Sequence, residues 1–210
     1  MGKYVLIVGG TGSGKSTFAE QLLHRYGDCL YFSDPYIDNP FLHSVYSHNQ
    51  FCFQSELFFM KEFLKIQKKI GNSTRRIIQE RSIFECVHIF CKSFYIQGKI
   101  NKDEYNLCEE LLTEIHPWMT MPDVVVHMQV TPSTAYNRIV HRGREFEENV
   151  NIDEVKLQLE LYSSWVPGFC TQNSIPFVTF NNETSIDSDG VTFTRNVEQC
   201  ILSIDNIVHL

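Results

Sequence analysis

Basic side chains are scarce in this sequence: 18 Lys and Arg are outnumbered by 25 Asp and Glu, which gives the 210-residue chain a formal net charge of −7. No stripe of Lys and Arg occurs along it. A surface that binds DNA, RNA or an anionic membrane is built on such a stripe. We therefore expect neither a nucleic acid nor a membrane among the partners, and any bound phosphate must be met by local groups.

The sequence also lacks a membrane span, a targeting segment and paired cysteines. Its longest stretch without charge, Leu161 to Asn182, contains Pro167, Gly168 and Pro176, so it is not a continuous apolar span. The N-terminus enters a strand-like segment with no basic region or long apolar run. The seven cysteines include no C-x-x-C pair and mostly lie in apolar runs, as buried reduced thiols do. These absences predict a cytoplasmic protein.

Two common site motifs are missing as well. The eight histidines are scattered and form no H-E-x-x-H, so the sequence indicates no zinc site. The guanine-reading pattern N-K-x-D is approached only at residues 101–104, where the last residue is Glu104. A regulatory GTPase is therefore not indicated either.

What the sequence does have is an alternation of short apolar blocks and longer helical patterns. Hydrophobic residues make up 43% of the chain and aromatic residues 13%, which predicts one folded domain over residues 1–210. Runs rich in Val and Ile are typical of parallel strands that helices cover on both faces. We therefore predict an α/β fold with a five-stranded parallel sheet flanked by helices. The predicted strands are Tyr4–Val8, Leu30–Phe32, Arg76–Ile78, Val124–Val130 and Ile175–Phe180.

Capping residues and apolar steps of three and four place the helices between these strands. The polar stretch from Asn181 to Gly190 is expected to be a mobile loop. The predicted helices include one that ends at Tyr26 before Gly27, one over Gln50–Ile70, one that starts at Thr131-Pro132 and runs to Arg142, and one from about Asp153.

The strongest motif is a phosphate-binding loop that fits G-x-x-x-x-G-K-[ST] between the first predicted strand and the first predicted helix. Its glycines let backbone N–H groups curl around a polyphosphate, while Lys15 can reach the β- and γ-phosphates and the Ser16 hydroxyl can ligate Mg²⁺. A dinucleotide-binding loop is excluded because Lys15 stands where a third glycine is required. The motif predicts a polyphosphate and Mg²⁺ as ligands, and the candidate binding residues are Gly9, Gly10, Thr11, Gly12, Ser13, Gly14, Lys15, Ser16 and Thr17.

Polar residues after two other strands are further candidates, because ligands of an open parallel sheet gather beyond the carboxyl ends of its strands. Asp34 follows the second predicted strand, and Glu80-Arg81 follows the third. Asp34 before Pro35 is alternatively only a turn former. The pair Glu80-Arg81 is alternatively a buried structural ion pair.

Arg138, Arg142 and Arg144 form a third group. The first two share a helix face, and Gly143 lets the chain turn so that Arg144 can point the same way. The alternative is a solvated helix end neutralised by the acidic residues that follow. Beside a phosphate-binding loop, we favour an arginine lid over transferring phosphates, at about residues 138–150.

Taken together, these motifs resemble the deoxynucleoside kinase family, particularly its shorter bacterial and viral members, and the resemblance covers nearly the whole chain. It implies transfer of the ATP γ-phosphoryl group to the 5′-hydroxyl of a deoxynucleoside, a small-molecule acceptor, and a homodimer. The matching segments are Gly9 to Ser16, Asp34-Pro35, Asn39 to Leu42 with Tyr46, Glu80 to Ser82, Pro122 to Val125, Arg138-x-x-x-Arg142-Gly143-Arg144, and Tyr162-x-x-Trp165.

The resemblance also implies a role for each matching residue. Catalytic roles fall on Asp34 (the carboxylate base), Arg81, Arg142 and Arg144; ATP contacts fall on the loop and Arg138; metal contacts fall on Ser16 and Glu80; nucleoside contacts fall on Tyr46, Glu147, Arg81, Cys86 and either Gln54 or Glu56.

Three departures from the family pattern bear on these roles. Asp34 is one bond, about 1.5 Å, shorter than the usual Glu. The base-reading Gln falls on Gln54 or on Glu56, depending on where a shortening before Phe51 is placed. Cys86 replaces the Asp that reads amino groups, which predicts a weaker preference for adenine and cytosine and a substrate set that includes guanine or thymine/uracil deoxynucleosides.

Two other functions compete with a deoxynucleoside kinase. A nucleoside monophosphate kinase, similar to thymidylate kinase, shares the loop and the lid, although Glu80-Arg81-Ser82 favours a nucleoside acceptor. A catalytically silent nucleotide-binding subunit of the same fold is the other, and the presence of every charged site residue argues against it.

Overall fold

The structure, a computed structural model, describes residues 2–183 and 190–208. Its five strands form one sheet in the order β2-β3-β1-β4-β5, and every neighbouring pair is parallel. This confirms the predicted α/β class and parallel sheet. The strands are β1 Tyr4–Val8, β2 Cys29–Phe32, β3 Arg76–Glu80, β4 Val124–Gln129 and β5 Phe177–Asn181.

The strand limits differ from prediction at one or two residues. β3 continues past Ile78 because Gln79 and Glu80 still pair with β1, opposite Leu6 and Ile7. β5 begins two residues later than predicted and ends at Asn181, which pairs with the last residue of β4. Glu80 is therefore the last residue of a buried strand, which fixes its backbone more firmly than a loop would.

The helices are α1 Lys15–Tyr26, α2 Leu42–His48, α3 Cys52–Gly71, α4 Ile83–Glu85, α5 Lys92–Ile96, α6 Lys102–Ile115, α7 Pro132–Arg142, α8 Ile152–Gln172 and α9 Gly190–Val208, with a π-helical turn over Cys86–Cys91. The predicted start of α7 is confirmed, since the Thr131 hydroxyl accepts from the N–H of Thr134. The predicted start of α3 is wrong by two residues because Phe51 takes a φ of +61°. The predicted loop over 181–190 lies mostly outside the described residues.

Helices cover both faces of the sheet. On one face, α1 and α9 pack against β1 through residues such as Phe18 and Ile204. On the other, α3, α6, α8 and the π-helical turn form the larger core around Leu6 and Phe63. Within the described ranges, no helix is both long and apolar enough to cross a lipid bilayer. The carboxyl edge of the sheet is left open between these layers, and the site lies there.

Two polar residues of the matching segments have structural partners. Asn39 donates to the Ser55 hydroxyl at 2.9 Å and accepts from the N–H of Phe41 at 3.0 Å, which joins the segment before α2 to α3. Asp123 accepts from the N–H of Tyr4 at 2.8 Å and so aligns β4 with β1. Both residues hold the frame around the site.

Candidate active site

The phosphate-binding loop joins β1 to α1, and its glycines are required by close contacts. Gly12 and Gly14 have φ values of +80° and +90°, which L side chains rarely adopt. A Cβ on Gly12 would lie 2.5 Å from the carbonyl oxygen of Ala135, and one on Gly14 would lie 2.3 Å from the amide nitrogen of Asn182. The loop is thus clamped against α7 and the end of β5, with its backbone held ready for an anion at the N-terminus of α1.

Lys15 folds back over this loop. Its ammonium group donates to the carbonyl oxygens of Gly9 at 2.8 Å and Gly10 at 3.0 Å. Burial lowers the pKa of Lys15, and the carboxylates of Glu80 and Asp34 oppose that shift. The cation is therefore held among charges of opposite sign at the mouth of the loop, where a phosphate can displace its carbonyl partners.

Glu80 lies beside Ser16 in the first turn of α1. The Ser16 hydroxyl donates to one of its carboxylate oxygens at 2.8 Å, and the Tyr31 hydroxyl donates to the other. A hydroxyl and a carboxylate are the hard oxygen donors that Mg²⁺ takes when substrate phosphates complete its shell. In the described part of the chain, no group of three or more His, Cys, Asp or Glu side chains could hold a metal alone.

Arg81 follows Glu80 and turns its side chain into the site. Its φ of +57° costs on the order of 1–3 kcal/mol for a residue with a Cβ. The guanidinium lies 3.1 Å from Glu56 and 3.5 Å from Asp34, and it sits over the rings of Phe59 and Phe90 at 4.3 and 3.8 Å. Burial lowers the pKa of Arg81, but the neighbouring acidic groups outweigh it and hold the pKa well above its ordinary value.

Asp34 and Arg81 each carry a buried polar atom without a partner. These atoms are Asp34 Oδ1 and Arg81 Nε, and neither has a hydrogen bond. A buried polar atom left unpaired is costly, so such atoms mark places where a bound group supplies the missing partner. Asp34 lines the cavity and has an acceptor oxygen to offer to a hydroxyl.

One cavity of about 350 Å³ connects all of these groups. That volume falls in the usual range for a small-molecule site. Tyr46 and Phe146 form one wall, with ring centroids 5.6 Å apart, and Phe59 and Phe90 form another. The phosphate-binding loop closes one end, so a flat apolar group and a charged group can both be accommodated.

The three arginines of the predicted lid also line this cavity. Arg142 is bound to the buried Glu147 through two nitrogen–oxygen contacts, one of them at 2.8 Å, and Arg144 lies 3.7 Å from the same carboxylate. Arg138 donates to the carbonyl oxygens of Gly12 at 3.4 Å and Asn182 at 3.0 Å. The arginines therefore line the cavity, as expected for a lid, and Arg142 and Arg144 also pair with an acidic residue, as expected for a salt-bridged helix end.

The structure distinguishes the two positions that the sequence left open on α3. Glu56 is buried and lines the cavity, whereas Gln54 is exposed and lies outside the lining. Two residues apart on a helix point about 200° apart, so only one can face the site. Burial raises the pKa of Glu56 to about 7, against the opposing charge of Arg81.

Cys86 lies behind the site instead of in its lining. It is fully buried, and its sulfur is 3.8 Å from an Arg81 nitrogen. Its expected direct contact with the nucleoside is therefore not seen in the cavity wall. Cys86 adjoins the cavity lining through its contact with Arg81.

Several lining residues were not predicted from the sequence, among them Tyr36, Ser55, Phe59, Phe90 and Phe94. Phe59 lies on the buried face of α3, where buried residues recur every three or four positions. Glu56 and Gln67 lie on the same face, and because they are polar, the sequence does not show this face as apolar. Phe90 lines the cavity from the π-helical turn, and no residue pattern in the sequence predicts that turn.

A phosphate-binding loop, an acidic strand end and three arginines around one cavity define a phosphotransferase of the P-loop class. The chain belongs to the deoxynucleoside kinase family: the family model described as deoxynucleoside kinase matches residues 5–209. The family expected from the motifs is confirmed.

Individual proteins agree with this membership. The deoxyadenosine/deoxycytidine kinase of Bacillus subtilis (strain 168) is 27% identical over 209 residues, which cover 98% of this chain and 93% of that protein. The deoxyguanosine kinase of the same organism is 22% identical, with 92% and 90% covered. The structure of deoxyadenosine kinase from M. mycoides with bound dATP has a TM-score of 0.80 at 21% identity and covers 97% of this chain and 99% of that chain.

Proposed function

We propose that this protein transfers the γ-phosphoryl group of ATP to the 5′-hydroxyl of a deoxynucleoside, a step of nucleotide salvage. The observation that carries the proposal is the Asp34 carboxylate, which lines the cavity closed by the phosphate-binding loop and places Oδ2 3.5 Å from an Arg81 nitrogen. A hydroxyl that donates to this carboxylate is oriented and can lose its proton to it.

The residues around the loop serve ATP. Backbone N–H groups of the loop and Lys15 bind its phosphates, and Thr17 lies in the same lining. Arg138, Arg142 and Arg144 meet charge that develops on the transferred group.

Ser16 and Glu80 fit Mg²⁺, since their oxygens already lie 2.8 Å apart at the end of the loop. When bound there with the ATP phosphates, Mg²⁺ neutralises charge on the β- and γ-oxygens. Glu80 holds its ligand geometry through the hydrogen bond from Tyr31.

The other end of the cavity serves the nucleoside. Tyr46 and Glu147 provide polar atoms for the sugar 3′-hydroxyl, and Glu56 lies where a base edge is read. Above its pKa of about 7, Glu56 is ionised and only accepts hydrogen bonds, which favours the N–H edges of guanine, thymine or uracil. Cys86, which stands in place of a carboxylate, lies behind Arg81 and adds no acceptor to the cavity lining for an exocyclic amino group.

The test is a panel of deoxynucleosides and nucleoside monophosphates, each incubated with ATP and Mg²⁺. We expect deoxynucleoside 5′-monophosphates, with kcat/KM values that favour guanine or thymine/uracil over adenine and cytosine, and a shift toward amino-bearing bases in Cys86→Asp. Strict deoxyadenosine or deoxycytidine specificity would refute the base assignment. Phosphorylation of monophosphates alone would support the competing monophosphate kinase, and no transfer at all would support a silent subunit.

The homodimer that the resemblance implies has a surface available on this chain. Leu107 and Leu111 are exposed on one side of α6, the nearby Trp118 is 85% exposed, and Ile96 at the end of α5 is exposed as well. Apolar side chains grouped in this way are typical of an interface. Leu111→Glu should convert the dimer to a monomer in sedimentation experiments, whereas Leu202→Glu, at an exposed site on α9, should not.

We also propose a cytosolic location for the protein. All seven cysteines are unpaired, and six of them are buried. Unpaired thiols are typical of a reducing compartment. Fractionation of the source cells with an antibody against the chain tests this placement.

A further inference from the structure

The peptide group that joins Arg81 to Ser82 is held on both sides by buried side chains. Gln79 Nε2 donates to the carbonyl oxygen of Arg81 at 2.6 Å. The N–H of Ser82 donates to Glu85 Oε2 at 2.6 Å, and the Ser82 hydroxyl donates to the same oxygen at 3.1 Å. These bonds restrain a backbone whose φ at Arg81 is +57°, so the direction of the Arg81 side chain depends on them.

Each of the two holding side chains is itself fixed by a tyrosine hydroxyl from a distant element. Tyr4 on β1 donates to Gln79 Oε1 at 2.6 Å. Tyr162 on α8 donates to Glu85 Oε1 at 2.7 Å. Four polar side chains therefore form two relays that end on one peptide group.

These relays lie entirely in the core. All four side chains are at most 1% exposed, and none of them lines the cavity. Burial raises the pKa of both tyrosines above its ordinary value, which keeps their hydroxyls as donors, and raises the pKa of Glu85 to about 7. Phe at positions 4 and 162 would fill the same space in the core. Packing therefore does not explain why both residues carry a buried hydroxyl.

We propose that Tyr162 and Tyr4 are positioning residues for phosphoryl transfer: through Glu85 and Gln79 they keep Arg81 directed at Asp34 and Glu56. The inference rests on the proposed function, because Arg81 acts at the reacting centre. It also gives Tyr162 of the Tyr162-x-x-Trp165 segment a task that the cavity lining does not show.

The first experiment compares Tyr162→Phe with Tyr26→Phe. Tyr26 donates to the Asp205 carboxylate at 2.7 Å between α1 and α9, so the control loses the same kind of bond away from the site. We expect Tyr162→Phe to lower kcat about ten- to hundredfold with little change in KM for ATP, and Tyr4→Phe to do the same more weakly. Equal kcat in Tyr162→Phe and wild type, or an equal loss in Tyr26→Phe, would overturn the proposal.

A double-mutant cycle then tests whether the effect passes through Arg81. In an Arg81→Lys background, Tyr162→Phe should cause no further loss of kcat, whereas an additive loss would show that Tyr162 acts by another route. Urea unfolding of each variant separates this effect from lost folding.

Hydrogen exchange gives a readout that does not depend on turnover. The Ser82 amide should exchange faster in Tyr162→Phe than in wild type and stay unchanged in Tyr26→Phe; an unchanged rate in Tyr162→Phe would refute the relay itself. A wild-type protein that phosphorylates no deoxynucleoside would refute the proposed function, while the exchange comparison still decides whether the relay exists.

Discussion

The phosphate side of the cavity and its acceptor side bind charge by different means. On the phosphate side, consecutive residues 9–17 present backbone groups at the start of α1, and glycines allow the close contacts. On the acceptor side, Asp34 follows β2, Glu56 lies on α3 and Arg81 follows β3, and together they form a largely buried cluster of charged groups. The backbone loop keeps its geometry after most side-chain changes, whereas the buried cluster loses charge balance when any member changes.

The largest effect is expected on the phosphate side, at its one charged side chain. Lys15→Ala should lower kcat by about 10³-fold or more while the fold stays intact, because the ammonium meets charge that grows in the transition state. Steady-state kinetics with circular dichroism would measure this. Lys61→Ala is the control, since it removes a surface ion pair with Glu62 and a contact with the Phe58 ring away from the site. Unchanged turnover in Lys15→Ala would remove the phosphate-binding assignment.

The lid arginines line the cavity between the two sides. Removing one of them is expected to cause the second largest loss of kcat. Arg142→Ala should lower kcat by about 10²-fold, since transition-state charge is met there. It also leaves the buried Glu147 without its closest partner. Arg25→Ala, which removes a half-exposed arginine on α1, should have no such effect. A change confined to KM for the nucleoside would contradict this role.

A substitution at Glu80 tests the part of the cavity where the phosphate side and the acceptor side meet. Glu80→Gln should lose most activity and raise the Mg²⁺ concentration for half-maximal rate about tenfold, because a neutral amide is a poor ligand for a hard cation. Mg²⁺ titration of the rate measures this, with the exposed Glu20→Gln as the control. An unchanged Mg²⁺ dependence would make Glu80 a structural residue.

The smallest effect concerns the acceptor side alone. Because burial raises the pKa of Glu56 to about 7 from 4.5, the folded chain keeps a proton that the unfolded chain releases, and the free energy of unfolding falls as pH rises across that interval. Glu56→Gln should flatten this slope by up to about one proton. Urea unfolding from pH 4.5 to 7.5 measures it, with the exposed Glu114→Gln as the control. An equal slope in Glu56→Gln and wild type would contradict the raised pKa of Glu56.

The same contrast explains what the sequence could reveal. The loop, Glu80, Arg81 and the three arginines lie in short contiguous motifs, so they could be assigned from the chain, and the structure gathers them around one cavity. Five strands were recognised because Val and Ile runs mark strands that are buried on both faces.

The acceptor side was harder because its residues meet only through tertiary packing. Gln54 and Glu56 are both polar residues on one helix, and only the rotation of α3 about its axis decides which faces the site. Cys86 lies behind Arg81 and is fully buried, and this placement depends on the packing of the π-helical turn rather than on any motif in the chain. Strand order and the relays from Tyr4 and Tyr162 likewise depend on contacts between residues far apart in sequence.

The most direct measurement is the rate of phosphoryl transfer by wild type and Asp34→Asn across pH, with the product identified by NMR. We expect wild type to form a deoxynucleoside 5′-monophosphate. In Asp34→Asn we expect unchanged ATP binding and a kcat lowered by about 10²-fold or more, because the substitution removes the base with almost no change in volume. A kcat retained over the whole pH range in Asp34→Asn, or a product phosphorylated elsewhere than the 5′-oxygen, would contradict these expectations.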